Sequence, residues 1–338
     1  MRLLVTGGAG FIGSNFVRYW VREHPSDHVV VYDALTYAGN PSNLDGLAHP
    51  VELVEADIVD QERVQVALGD HRIEAVVHFA AESHNSRAAL DPGAFFFTNV
   101  LGTQRLLEAC RRHGVQRFHH VSTCEVYGQM SLDEKAGFVE ESPYRPRTPY
   151  SASKAGADHA VRAYLETYDL PVTITNCANN YGPFQFPEKL VALLATRALD
   201  DRPLPLYASL ENRREWLHVS DHCKAIEIVM EKGRIGETYL VGSGIEASIA
   251  QIADLVLDAA GKPQSLKRIV TDRPGHDTRY LLDSSKLRSE LGWLPEVELK
   301  EGIAQTVEWY REHRGWWEPL IEGALPDEHA WATAARGR

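Results

Sequence analysis

The chain has 338 residues, 44% of them hydrophobic, enough for one large domain or two joined ones around a shared core. Asp and Glu (47) outnumber Lys and Arg (35), giving a net charge of -12 with no basic run, which excludes a polyanionic partner such as nucleic acid. The opening apolar run is too short and too glycine-broken for a signal peptide, and no later stretch reaches membrane-spanning length. The four cysteines, Cys110, Cys124, Cys177 and Cys223, lack the spacing of a disulfide framework or a zinc site, so a cytoplasmic, metal-free chain is expected.

In chain order, RLLVTG, HVVVYDAL, VELVEADI, EAVVHFA, RFHHVST and VTITNCA read as β-branched strands. Between them FIGSNFVRYWVREH, ERVQVALGDH, NVLGTQRLLEACRRHG and SKAGADHAVRAYLETYDL carry helical spacing. Such alternation predicts a doubly wound parallel α/β sheet of the Rossmann type, with helices on both faces. Beyond residue 178 proline and aromatic residues become frequent and the strands shorten, which predicts a smaller C-terminal substrate-binding domain. The expected division is a cofactor-binding domain over 1–178, joined by part of 213–242, and a second domain over 179–212 and 243–330. The tail after WWEPL is expected to be poorly tethered.

TGGAGFIG follows the first strand and opens the first helix, with Gly7, Gly10 and Gly13 spaced so that backbone N–H groups approach a pyrophosphate. Phe11 and Ile12 lie between the glycines, and Ile58 and Ala80 follow later strands, placing all four around the same cofactor. Asp33 ends the second strand ~20 residues on, where a carboxylate accepts from ribose hydroxyls and repels a 2′-phosphate, so NAD is expected over NADP. Asp57, after the third strand, is expected near the adenine. Glycines serving only a tight turn would not come with both the strand and the acid.

TPYSASKAG sets Tyr150 and Lys154 four residues apart on one helical face, where an ammonium favours phenolate. A tyrosine tuned in this way exchanges a proton with a sugar hydroxyl while hydride moves to or from nicotinamide. On an arbitrary helix the same spacing is an exposed tyrosine beside a solvated lysine; the nucleotide fingerprint upstream argues otherwise.

With these residues in place the sequence resembles the extended short-chain dehydrogenase/reductases, and among them the dTDP-glucose 4,6-dehydratase family. The resemblance runs through FAAESH (79–84), STCEVYG (122–128), YSASKAG (150–156), NNYGPFQFPEKL (179–190), REWLHVSDH (214–222) and DRPGHDTRY (272–280). It implies a homodimer that holds NAD tightly and acts on a nucleoside diphosphate hexose, with thymidine favoured and uridine the alternative. It also implies that tyrosine and NAD oxidise C4, a glutamate removes the acidified C5 proton, an acid protonates the departing C6 hydroxyl, and hydride returns to C6. By position Thr123 bonds the C4 oxygen, Glu125 is the base and Cys124 the acid. Ser83, His84, Asn180, Lys189, Arg214, Arg273, His276 and Tyr280 match substrate contacts, with the Arg214 fork suited to a diphosphate.

Two departures stand out. The family carries aspartic acid where this chain has Cys124, and usually reads SHVDRS where this chain reads SHNSRA, so Asn85 and Ser86 replace Val and Asp. A thiol with an ordinary pKa near 8.5 stays protonated at neutral pH and is an admissible acid. Four outcomes are open: 4,6-dehydration, which is favoured; 5,6-dehydration with hydride returned to C4; C4 epimerisation or decarboxylation with Cys124 as an apolar filler; and an NAD-binding protein without catalysis. The retention of Thr123, Glu125, Tyr150 and Lys154 speaks against the last.

Overall fold

A computed structural model describes residues 1–323 apart from Pro274; the C-terminal tail after 323, including the end of the expected second domain, lies outside the described residues. The strands are β1 (Arg2–Thr6), β2 (His28–Asp33), β3 (Glu52–Glu55), β4 (Ala75–His78), β5 (Arg117–Thr123), β6 (Val172–Cys177), β7 (Asn179–Tyr181), β8 (Leu204–Tyr207), β9 (Arg213–His218), β10 (Thr238–Val241), β11 (Glu246–Ser248) and β12 (Lys267–Val270). Among the described residues, seven of them form one all-parallel sheet in the order β10-β6-β5-β4-β1-β2-β3. Leu3, Leu4 and Val5 of β1 are fully buried, because helices cover both faces and an uninterrupted apolar strand suits that position. Each such side chain contributes about 1.5–3 kcal/mol.

The α-helices among the described residues are α1 (Phe11–Glu23), α2 (Gln61–Asp70), α3 (Asn85–Leu90), α4 (Pro92–Phe96), α5 (Thr103–His113), α6 (Pro149–Tyr168), α7 (Leu190–Leu199), α8 (Val219–Lys232), α9 (Ile249–Ala260), α10 (Ser285–Leu291), α11 (Leu299–Glu312) and α12 (Arg314–Trp317). None of the described helices is long and apolar enough to cross a membrane. After β3 the chain crosses to the other side of β1, so the order reverses between β1 and β4, and the carboxyl ends of those strands open a crevice.

Two local outcomes differ from the sequence expectation. The helix expected from Asn99 begins as a π-helical stretch over Phe97–Gly102 before α5. Gly102 there lies against Ile58, whose Cδ1 would be 2.8 Å from an added Cβ. Asn99 bonds the Glu82 carbonyl and the Ser153 hydroxyl, each at under 3 Å, and a widened turn gives room for that reach. The run of helical spacing read from Ser153 begins earlier, at Pro149, and so takes in Tyr150 as expected for its helical face, because Thr148 and Ser151 form a capping box and proline suits the first helical position. Tyr150 therefore sits inside the first turn of α6.

Beyond β6 the chain builds a three-stranded sheet, β11-β9-β7, and a two-stranded one, β12-β8. These pack with α7, α9 and α11 around Leu194, Trp216, Ile252, Val256, Ile303 and Tyr310. The exception is β10, which pairs with β6 in the large sheet, while α8 packs against α1.

Candidate active site

A cleft with two lobes runs across the carboxyl ends of the central strands, with volumes of about 330 Å³ and 270 Å³. Gly7, Gly10, Phe11, Ile12, Gly13, Asp33, Asp57, Ile58 and Ala80 line the first lobe. Gly7 has φ +67°, and a Cβ on it would stand 2.6 Å from the Ala80 backbone nitrogen. A Cβ on Gly13 would stand 2.2 Å from the Gly7 carbonyl oxygen, so the turn packs directly against the start of α1. Gly10 caps α1 with no side-chain hydrogen bond and no acid follows in the first turn, leaving the helix N-terminus to an external anion. Asp33, 8% exposed, accepts from Ala9 N–H and Leu35 N–H, both at 2.9 Å. Burial raises its pKa, and those backbone bonds oppose the rise. The cradle and the carboxylate fit a dinucleotide with free ribose hydroxyls.

Deeper in the same lobe lie Ser83, Thr123, Glu125, Tyr150, Lys154, Asn180 and Lys189. The strand–turn geometry explains why: Thr123 ends β5, and a short 3-10 turn over Cys124–Tyr127 swings Glu125 to the surface of the cleft. The Thr123 hydroxyl accepts from the Glu125 N–H at 3.3 Å and lies close enough to the Tyr150 phenol to pull its pKa down. Lys154, 4% exposed, donates to the Val121 carbonyl at 2.9 Å and lies 3.4 Å from His120 Nε2. The sequence reading has this ammonium lowering the phenol pKa. The structure differs: burial first and the Glu125 carboxylate second push the Tyr150 phenol well above its ordinary value, against the pull of Thr123. Burial likewise lowers the Lys154 ammonium.

The second lobe is lined by His84, Asn85, Ser86, Arg214, Arg273 and His276, and it shares Glu125 and Lys189 with the first. Lys189 donates to the Ser83 carbonyl at 2.7 Å. Burial, then Lys189, hold His84 well below its usual value. Burial and then Arg214 push His276 down to about 3, so its ring is neutral and Nδ1 pairs with the Ser209 hydroxyl at 3.0 Å. Arg214 turns part of its fork to backbone, reaching the Asp277 carbonyl at 2.7 Å. Asn180 is tied to the Ala178 carbonyl and to His222, both at 3.0 Å.

Two expected site residues do not reach the cleft. Tyr280, 2% exposed, lies under the Arg214 guanidinium at 4.7 Å and gives its hydroxyl to Asp277, so it supports the arginine from below. Cys124, 1% exposed, lines neither lobe; it lies in the apolar cluster that holds Val126, Tyr127, Cys177 and Tyr280. Burial, then the charge of Glu125, raises its pKa well above the usual thiol value. The turn after β5 exposes one residue and buries the one before it.

Other functional neighbours escaped the sequence reading. Behind Lys154, His120 Nε2 lies 3.1 Å from Asp158 Oδ1, and Asp158 Oδ2 accepts from Tyr144 at 2.8 Å and Asn176 at 3.2 Å. The four-residue spacing from Lys154 to Asp158 on α6, and the histidine pair inside β5, were the available signals.

The family model described as GDP-mannose 4,6 dehydratase matches residues 4–306. A dTDP-glucose 4,6-dehydratase of Mycobacterium tuberculosis is 49% identical over 321 residues, covering 95% of this chain and 96% of that protein. One from Streptomyces niveus is 47% identical over the whole of both chains. The crystal structure of DesIV, a dTDP-glucose 4,6-dehydratase from Streptomyces venezuelae with NAD and TYD bound, superposes with a TM-score of 0.91 at 50% identity, covering 95% of this chain and all of that one. With this cleft and these matches, the chain belongs to the dTDP-glucose 4,6-dehydratase family of extended short-chain dehydrogenase/reductases.

Proposed function

We propose that the protein is an NAD-dependent lyase that removes water from dTDP-glucose across C5 and C6 through transient oxidation at C4. The observation that carries this is the meeting of Thr123, Tyr150 and Glu125 where the lobe built on Gly7 and Asp33 joins the lobe built on Arg214 and Arg273. Bound NAD supplies the acceptor and later the donor of hydride. Gly7, Gly10, Gly13 and Asp33 hold that cofactor, and Arg214, Arg273 and Lys189 face the diphosphate. Thr123 orients the C4 oxygen, and Tyr150 takes its proton while Lys154 and the His120–Asp158 pair fix the floor beneath.

Glu125 then removes the C5 proton, made acidic by the C4 carbonyl. Because Cys124 lies below the cleft, the acid role falls to Glu125 as well: the carboxylic acid formed at C5 passes its proton to the adjacent C6 oxygen as that C–O bond breaks, releasing water. One carboxyl group serves both neighbouring positions.

The division into a cofactor part over 1–178 with part of 213–242, and a nucleotide-sugar part over 179–212 and 243–330, is supported by the pairing of β10 with β6 and by the separate core of α7, α9 and α11. Exposed Phe96 and Phe97 beside α5 support a homodimer through α5 and α6, and four free, buried cysteines support a reducing cytoplasm. Substrate deuterated at C4 tests the reaction: the label is expected at C6 of the product. Label retained at C4 would instead mean 5,6-dehydration or epimerisation.

A further inference from the structure

Asn85 and Glu125 are forty residues apart and meet only in the fold. Asn85 opens α3 after β4, and Glu125 follows β5, the adjacent strand. The Asn85 amide donates from Nδ2 to Glu125 Oε2 at 3.1 Å, and among the described residues this is the side-chain hydrogen bond that the Glu125 carboxylate accepts. A carboxylate has no donor to offer, so the amide has one admissible orientation here. That orientation leaves Asn85 Oδ1 buried and without a partner. Both side chains line the second lobe.

The family pattern places a valine at residue 85 and an acid at residue 124. Here residue 124 is a thiol under the floor, and residue 85 carries the polar group. The polar neighbour of Glu125 here comes from the start of α3 and not from the residue before it.

We propose that Asn85 is the positioning residue for Glu125: its N–H holds the carboxylate aimed at the C5 proton, in place of the polar side chain that this chain lacks at position 124. The proposal rests on Glu125 being the base. The other titratable groups facing Glu125 are Cys124, Tyr150, Cys177, Lys189 and Tyr280. Burial keeps the thiols and phenols among them in their neutral forms, which leaves Lys189 as the cation among these neighbours. Loss of the amide therefore removes the side-chain donor that fixes Glu125 Oε2 in the second lobe.

The test measures C5 proton exchange with solvent deuterium, using NAD-loaded protein and dTDP-glucose, alongside the amplitude of cofactor reduction. Asn85→Val is expected to slow exchange roughly tenfold to a hundredfold, with the reduction amplitude retained. Asn85→Gln should recover part of the lost exchange rate. If Asn85→Val does not fold, Asn85→Ala carries the same expectation. Unmoved exchange in Asn85→Val, with Glu125→Gln inactive in exchange, would overturn the role of Asn85 alone. Exchange that survives Glu125→Gln would overturn the base assignment, and this proposal with it.

Discussion

Replacing Glu125 with Gln should do more than stop proton removal at C5. The Tyr150 phenol is raised by burial and, next, by the negative charge of Glu125 in the same lobe. Two like charges in one partly buried lobe repel, and that repulsion adds to burial in holding the phenol protonated. The sign follows directly: neutralising residue 125 removes repulsion from phenolate, lowers the pKa, and increases the phenolate present at any pH below it. C4 oxidation, which needs that phenolate, should therefore rise earlier with pH in Glu125→Gln and run about tenfold faster near neutrality. Because water loss is blocked, reduced cofactor should accumulate. Stopped-flow absorbance of reduced nicotinamide after mixing with dTDP-glucose, repeated from neutral to alkaline pH, reads both effects. A limb that stays where the unmodified protein has it, or moves to higher pH, would show that the phenol does not feel the carboxylate.

Cys124→Ala should dehydrate dTDP-glucose within roughly threefold of the unmodified rate and lose about 1–2 kcal/mol of stability from the small cavity; lost dehydration with intact C4 oxidation would return the acid role to the thiol. Asp33→Asn should weaken NAD binding roughly tenfold to a hundredfold and narrow the preference over NADP, since it removes the charge facing the ribose and turns an amide toward backbone N–H groups of Ala9 or Leu35; equal affinity of the unmodified protein for both cofactors, by equilibrium dialysis, would contradict it. Glu215 is raised from 4.5 to about 7, chiefly by burial, so the folded state binds its proton more tightly than the unfolded one. Its contribution is present below about 4.5 and declines as pH rises to about 7, by about 3 kcal/mol in total; the difference between the unmodified protein and Glu215→Gln in denaturant unfolding should slope across that window and flatten above it.

The alternation of strands and helices to residue 178, the glycine turn, Asp33 and the Tyr150–Lys154 pair were legible from sequence because each depends on short-range rules: residue periodicity, φ above zero at Gly7, and one helical turn between two side chains. Helix starts were less legible, since the first turn of α6 is set by the Thr148–Ser151 cap acting together with proline at the first helical position and not by apolar spacing. What only the tertiary structure decided is where side chains point once strands lie beside one another. Lys154 faces the Val121 carbonyl, Tyr280 lies beneath Arg214, Cys124 turns under the floor while its neighbour Glu125 faces the cleft, and Asn85 crosses from the end of β4 to reach it. A motif places such residues near one another along the chain, but a single change of turn direction separates a buried side chain from one that meets a substrate, and that direction is set by packing between segments distant in sequence.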